Sequence, residues 1–86
     1  MSLRVKEGSF SIFETIYAIL LNIKEEAKSK EKLAYSVKLN EDEVGIFLRF
    51  LLKKTLIRLE DESYVLTGKG KEFLNDYTRM REGEET

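Results

Sequence analysis

From Ser9 or Ser11, each suited to cap a helix, apolar residues recur at Phe10, Phe13, Ile16, Tyr17, Leu20, Leu21 and Ile23. That spacing of three and four predicts a first helix running to about Glu26. Ser29, followed by Lys30, Glu31 and Lys32, starts a second helix of about two turns with Leu33, Ala34 and Val37 on its apolar edge. Only residues 38–40 separate it from a third start signal, Asn40 followed by Glu41, Asp42 and Glu43, with Glu43 at the capping-box position. The second and third helices must therefore turn sharply against each other.

The third helix, Glu41 to Lys54, is apolar around most of its circumference. Val44, Phe47, Leu48, Leu51 and Leu52 fill one face, and Ile46 and Phe50 widen it. At about 100° per residue, Asp42, Gly45, Arg49 and Lys53 share the remaining strip. After Thr55 the period changes to two, with Leu56, Arg58 and Glu60 set against Ile57, Leu59 and Asp61. Then come Asp61, Glu62 and Ser63 as a tip, and Tyr64, Val65 and Leu66 as a return strand. Thr67 can cap a fourth helix whose first turn is GKGK and whose apolar positions are Phe73, Leu74, Tyr77 and Met80. A phosphate-gripping loop would need two glycines five apart followed by Lys and Ser or Thr, so these glycines are expected to let the helix start lie close to the hairpin or the third helix.

Before the first helix, residues 1–8 (MSLRVKEG) hold one alternating apolar pair and read as an N-terminal arm or short edge strand. The body is expected over residues 9–82, followed by an acidic tail at 83–86. Element order makes the chain mainly α with a small β-hairpin: a three-helix core, a two-stranded wing and a C-terminal helix, the arrangement of a winged helix-turn-helix.

Composition removes several classes of chemistry. Eighty-six residues without cysteine or histidine allow one small core and offer neither thiol chemistry nor the usual zinc ligands. No cofactor or metal site is expected, and no enzyme activity, because the carboxylates fall in caps, the hairpin tip and solvent faces with no convergent base beside them. The longest apolar run, Ile16 to Leu21, is too short to span a bilayer, so a soluble cytoplasmic protein is expected. Charge is nearly balanced, 15 basic against 16 acidic residues. Glu82, Glu84 and Glu85 lie in the last five positions, which leaves residues 1–81 with a net +2. Lysine and glutamate dominate the charged residues, a bias shared with thermophile proteins.

The run VKLNEDEVGIFLRFLLKKTLIRLEDESYVLTGKGKEFL carries a resemblance. Its turn leucine, capped helix, KKxLI exit and YxLTxKGxxFL close place Ser29 to Arg81 near archaeal winged-helix DNA-binding proteins of the small, roughly ten-kilodalton dimeric class and related transcriptional regulators. The resemblance implies that the third helix enters the major groove of double-stranded DNA, that the wing touches the backbone and that the C-terminal helix pairs two protomers.

Against that pattern, Arg49 and Lys53 on the polar strip, with Gly45 between the acids and the bases, are the expected duplex contacts, Arg49 to guanine edges and Lys53 to phosphate. A charged face that only keeps the helix soluble is the alternative. Lys30, Lys32 and Lys38, with Lys28, form the densest positive group and are expected on the DNA backbone. Phe73, Tyr77 and Met80 form a seam for a homodimer. Ile46 and Phe50 are expected in the core first and in a partner contact second. The third helix departs from the family by starting with Glu41, Asp42 and Glu43, and the wing tip is acidic from Glu60 to Glu62. A protein partner meeting that acidic wing is therefore the competing reading.

Overall fold

The computed structural model describes residues 12–85, with side chains described through residue 80. The elements run α1 (Ile12–Glu25), α2 (Lys30–Val37), α3 (Glu41–Lys53), β1 (Ile57–Glu60), β2 (Ser63–Leu66) and α4 (Gly68–Glu85). The expected arm at 1–8, and Phe10 with the capping serines of the first helix, lie outside the described residues. The stretch expected as an acidic tail continues α4 as far as Glu85.

Local chemistry fixes the helix ends. The Ser29 hydroxyl accepts from the Lys32 amide at 3.3 Å and so caps α2. The other end closes on Lys38, whose φ of 61° lets the Leu39 amide reach back to the Ala34 carbonyl at 3.0 Å. Leu39 packs on the core directly after that reversal. At α3 the capping box is complete: Asn40 Oδ1 accepts from the Glu43 amide at 2.8 Å, and Glu43 Oε1 accepts from the Asn40 amide at 3.2 Å.

The α3 exit repeats the α2 device. Thr55 has a φ of 60°, and the Leu56 amide donates back to the Leu51 carbonyl at 3.0 Å, which drops Leu56 into the core. β1 and β2 then pair antiparallel from Ile57 opposite Leu66 to Glu60 opposite Ser63, joined by a two-residue turn with φ of 49° at Asp61 and 65° at Glu62. Positive φ at both central residues matches the right-handed twist of the strands. The strict alternation expected for β1 does not hold, because Leu56 and Ile57 are both buried while Leu59 is exposed.

One pairing joins residues far apart in sequence. The Tyr64 amide donates to the Lys28 carbonyl at 2.8 Å and the Lys28 amide to the Tyr64 carbonyl at 3.3 Å, so β2 lies between β1 and the α1–α2 link. The core beneath is aliphatic, centred on Ile19 and Leu20 of α1, Leu33 of α2 and Leu48 and Leu51 of α3, with Leu74 as the buried anchor of α4. Thr67 caps α4 by accepting from the Gly70 amide at 3.0 Å while donating to the Thr55 carbonyl at 2.6 Å. Gly70 is the glycine that permits close approach. Gly68 faces open space.

Candidate nucleic-acid interface

The α3 strip emerges from the fold with one change. Arg49 and Lys53 are exposed, and among the described residues neither is in an ion pair. Gly45 does not face outward as the helical wheel placed it. It is buried, and a Cβ built there would lie 3.6 Å from Lys30 Nζ. The wheel gives an angle on α3 but says nothing of the neighbour that covers it, and α2 covers this one. The effect is to bring the Lys30 ammonium across α2 onto the turn of α3 that precedes Arg49, so Lys30, Arg49 and Lys53 form one basic line.

Other lysines divide. Lys32 is exposed on α2, and Lys38 is exposed at the left-handed residue of the α2–α3 turn. Lys28 is half-buried and its Nζ donates to the Asn22 carbonyl at 2.9 Å, so it stabilises the end of α1 and is withdrawn from the group in which the sequence placed it. In the wing, Arg58 faces Glu60, with Nε 2.7 Å and the terminal nitrogen 2.6 Å from the same carboxylate oxygen. The wing's only cation is thereby neutralised, and Asp61 and Glu62 keep its tip acidic. At the start of α3, Glu43 is partly occupied by the cap, which gives one of the three acids there a structural task.

Two residues here carry no sequence signal strong enough to single them out. Tyr35 is 87% exposed on α2 beside Lys38, where a phenol can donate to a phosphate oxygen. Its position next to the apolar edge of Leu33, Ala34 and Val37 is the signal that could have found it. Lys54, just past the end of α3, is turned away from Arg49 and Lys53, its ammonium 5.8 Å from the centre of the Phe50 ring on the apolar side of the helix.

The expected seam on α4 is only partly free. Tyr77 is half-buried against Tyr17 of α1, ring centres 4.9 Å apart, and the hydroxyls of Tyr17 and Thr78 lie 3.2 Å apart. Phe73 stacks parallel to Tyr77 at 6.5 Å and remains partly exposed, as does Met80. Ile46 and Phe50, expected first in the core, are 60% and 45% exposed, at the edge of a depression they share with Ile12, Phe13 and Ile16 of α1. Among the described residues no cluster could hold a metal ion, and no helix is long and apolar enough to cross a membrane.

The family model described as winged helix-turn-helix matches residues 11–85. The chain belongs to the winged helix-turn-helix family. Two solved structures carry the same fold. A Listeria innocua protein described as having unknown function matches with a TM-score of 0.74 and 25% identity, over 80% of this chain and 52% of that one. A double mutant of ZitR from Lactococcus lactis matches with a TM-score of 0.73 and 24% identity, over 90% of this chain and 57% of that one. This winged helix-turn-helix chain thus spans about half the length of the solved structures it matches. No curated protein matches it.

Proposed function

We propose that this winged helix-turn-helix chain binds double-stranded DNA as a transcriptional regulator and works there as a homodimer. The observation that carries the reading is the basic line of Lys30, Arg49 and Lys53 on the outer side of the helix-turn-helix, exposed and free of ion pairs among the described residues. Arg49 reads base edges, Lys53 and Lys30 hold phosphates, and Lys32, Lys38 and Tyr35 extend the backbone contact along α2. Gly45 serves by letting Lys30 lie against α3. The homodimer follows the small dimeric class that Ser29 to Arg81 resembles, with Phe73, Tyr77 and Met80 of α4 at the seam.

A protein-binding module is the second reading, favoured by the exposure of Ile46 and Phe50 beside the acidic start of α3 and by the acidic wing. An anisotropy titration with duplex DNA across a salt series separates the two. A DNA-binding protein gives a linear fall of log affinity with log salt that flattens in Arg49→Glu. A flat, weak response in the unsubstituted protein rules DNA out as the ligand.

A further inference from the structure

Five large apolar side chains that α1, α3 and α4 leave exposed gather on one face: Ile12, Phe13, Ile46, Phe50 and Phe73. They border two adjoining depressions of about 380 and 290 Å³, which share Phe13, Ile16 and Phe50. Small-molecule sites run from roughly 300 to 1,000 Å³ and mix apolar walls with placed polar groups. These depressions are at the small end, and among the described residues their only charged lining residues are Lys54 and Lys69. The face is thus suited to apolar side chains of another polypeptide.

Charge says which polypeptide. Along this side of α3, Glu43 stands at the N-terminal end and Lys54 just past the C-terminal end. Three turns separate them, about 16 Å along the axis and within about 20° around it, with Phe47 and Phe50 between. Such a row is acidic at one end, aromatic in the middle and basic at the other, so it complements itself when reversed. A two-fold interface requires this property, because each contact must recur with the roles exchanged.

We propose that a second copy of this chain covers the face, its α3 antiparallel to the first. Glu43 is then level with Lys54 of the second copy, Lys54 with its Glu43, and Phe47 and Phe50 meet across the axis. One oxygen of Glu43 is used by the Asn40 amide at 3.2 Å, which leaves Oε2 for the cation. The Lys54 ammonium already lies near the Phe50 ring, at the rim where that carboxylate arrives.

This inference rests on self-association in the reading above but not on the α4 seam. Packed helices lie about 8–10 Å apart, whereas two half-sites of a duplex are about 34 Å apart. Pairing through α3 therefore belongs to the DNA-free protein and pairing through α4 to the protein on DNA.

Sedimentation equilibrium without DNA tests it on four forms of the full chain: unsubstituted, Glu43→Lys, Lys54→Glu and Met80→Lys. Each of the first two substitutions creates two like-charge contacts, so self-association should weaken by about tenfold or more. An equimolar mixture of Glu43→Lys and Lys54→Glu should recover it, since the mixed pair has opposite charges at both ends, and neither loss of the cap nor misfolding can produce that rescue. Met80→Lys should remain dimeric. A monomeric unsubstituted protein at tens of micromolar, or a mixture no tighter than its components, overturns the proposal. If Met80→Lys alone dissociates the dimer, the α3 pairing falls and the α4 seam stands. DNA affinity of the same samples, read by anisotropy, reports separately on the functional reading.

Discussion

A Cβ on Gly70 would lie 2.1 Å from the Leu56 carbonyl oxygen and 2.9 Å from a Leu66 methyl. The first turn of α4 therefore lies directly on the start of the wing. The methyl can move aside, but the oxygen cannot, since it is backbone and also accepts from the Thr67 amide at 3.1 Å. Gly70→Ala should destabilise the fold by about 2–3 kcal/mol, in the range of core overpacking. Gly68→Ala, two residues earlier with nothing within 4 Å, should gain about 0.5 kcal/mol from the reduced freedom of the unfolded chain. Urea denaturation of the two variants checks the contrast. Equal effects would mean that α4 does not approach the wing this closely.

Left-handed backbone at residues other than glycine offers a second test. Thr55 at the exit of α3 and Glu62 in the wing turn have φ of 60° and 65°, and Thr55 is β-branched, which makes that conformation costly. Thr55→Gly keeps the backbone carbonyl that accepts from Thr67. Each of Thr55→Gly and Glu62→Gly should raise stability by about 0.5–1 kcal/mol, the relief of strain less the added entropy of the unfolded glycine. A loss of stability in thermal or urea melts would show that the side chains contribute more than their backbone costs.

What the sequence disclosed and what it hid follow the range of the interactions. The capping box of Asn40 and Glu43 closes within four residues, and the close approach at Gly70 follows from two glycines placed where a strand hands over to a helix. Both were legible. The Lys28–Tyr64 bridge joins residues that no local pattern relates, and the bond from Lys28 Nζ to the Asn22 carbonyl takes that side chain out of the basic group. Periodicity placed Gly45, Arg49 and Lys53 on one strip and Ile46 and Phe50 beside the core. It could not show that α2 covers the first of these while α1 stops short of covering the last two. Helical spacing gives an angle, and burial depends on where the next element stops.

Salt dependence can apportion the basic surface. Each phosphate neutralised contributes a slope of about −0.9 in log affinity against log salt. Lys30→Ala, Lys32→Ala and Lys38→Ala together should reduce the slope by roughly 2–3, while Arg49→Ala should cost about 1–3 kcal/mol and relax the preference at one base pair. Lys38→Gly sharpens the test, because it removes a proposed contact and relieves the φ of 61° at the end of α2. It should weaken DNA binding and raise the melting temperature. A fall in both would assign Lys38 to the fold alone.

The wing makes the most discriminating prediction, because its charges oppose the proposed function. Arg58 is held by Glu60 at 2.6 Å with both side chains about half exposed, 56% and 50%. An exposed pair of this kind contributes only about 0–1 kcal/mol, so its loss should hardly affect folding. Glu60→Gln removes an acid from the wing and releases the guanidinium. If the wing lies along the DNA backbone, the variant should bind duplex several-fold more tightly and its salt slope should steepen by about 1, with stability unchanged. Acids kept for a protein partner would give the opposite signature: no change in DNA affinity and a loss of partner binding. A duplex titration of Glu60→Gln beside Arg58→Gln distinguishes them, since a wing on DNA gains from the first substitution and gains nothing from the second.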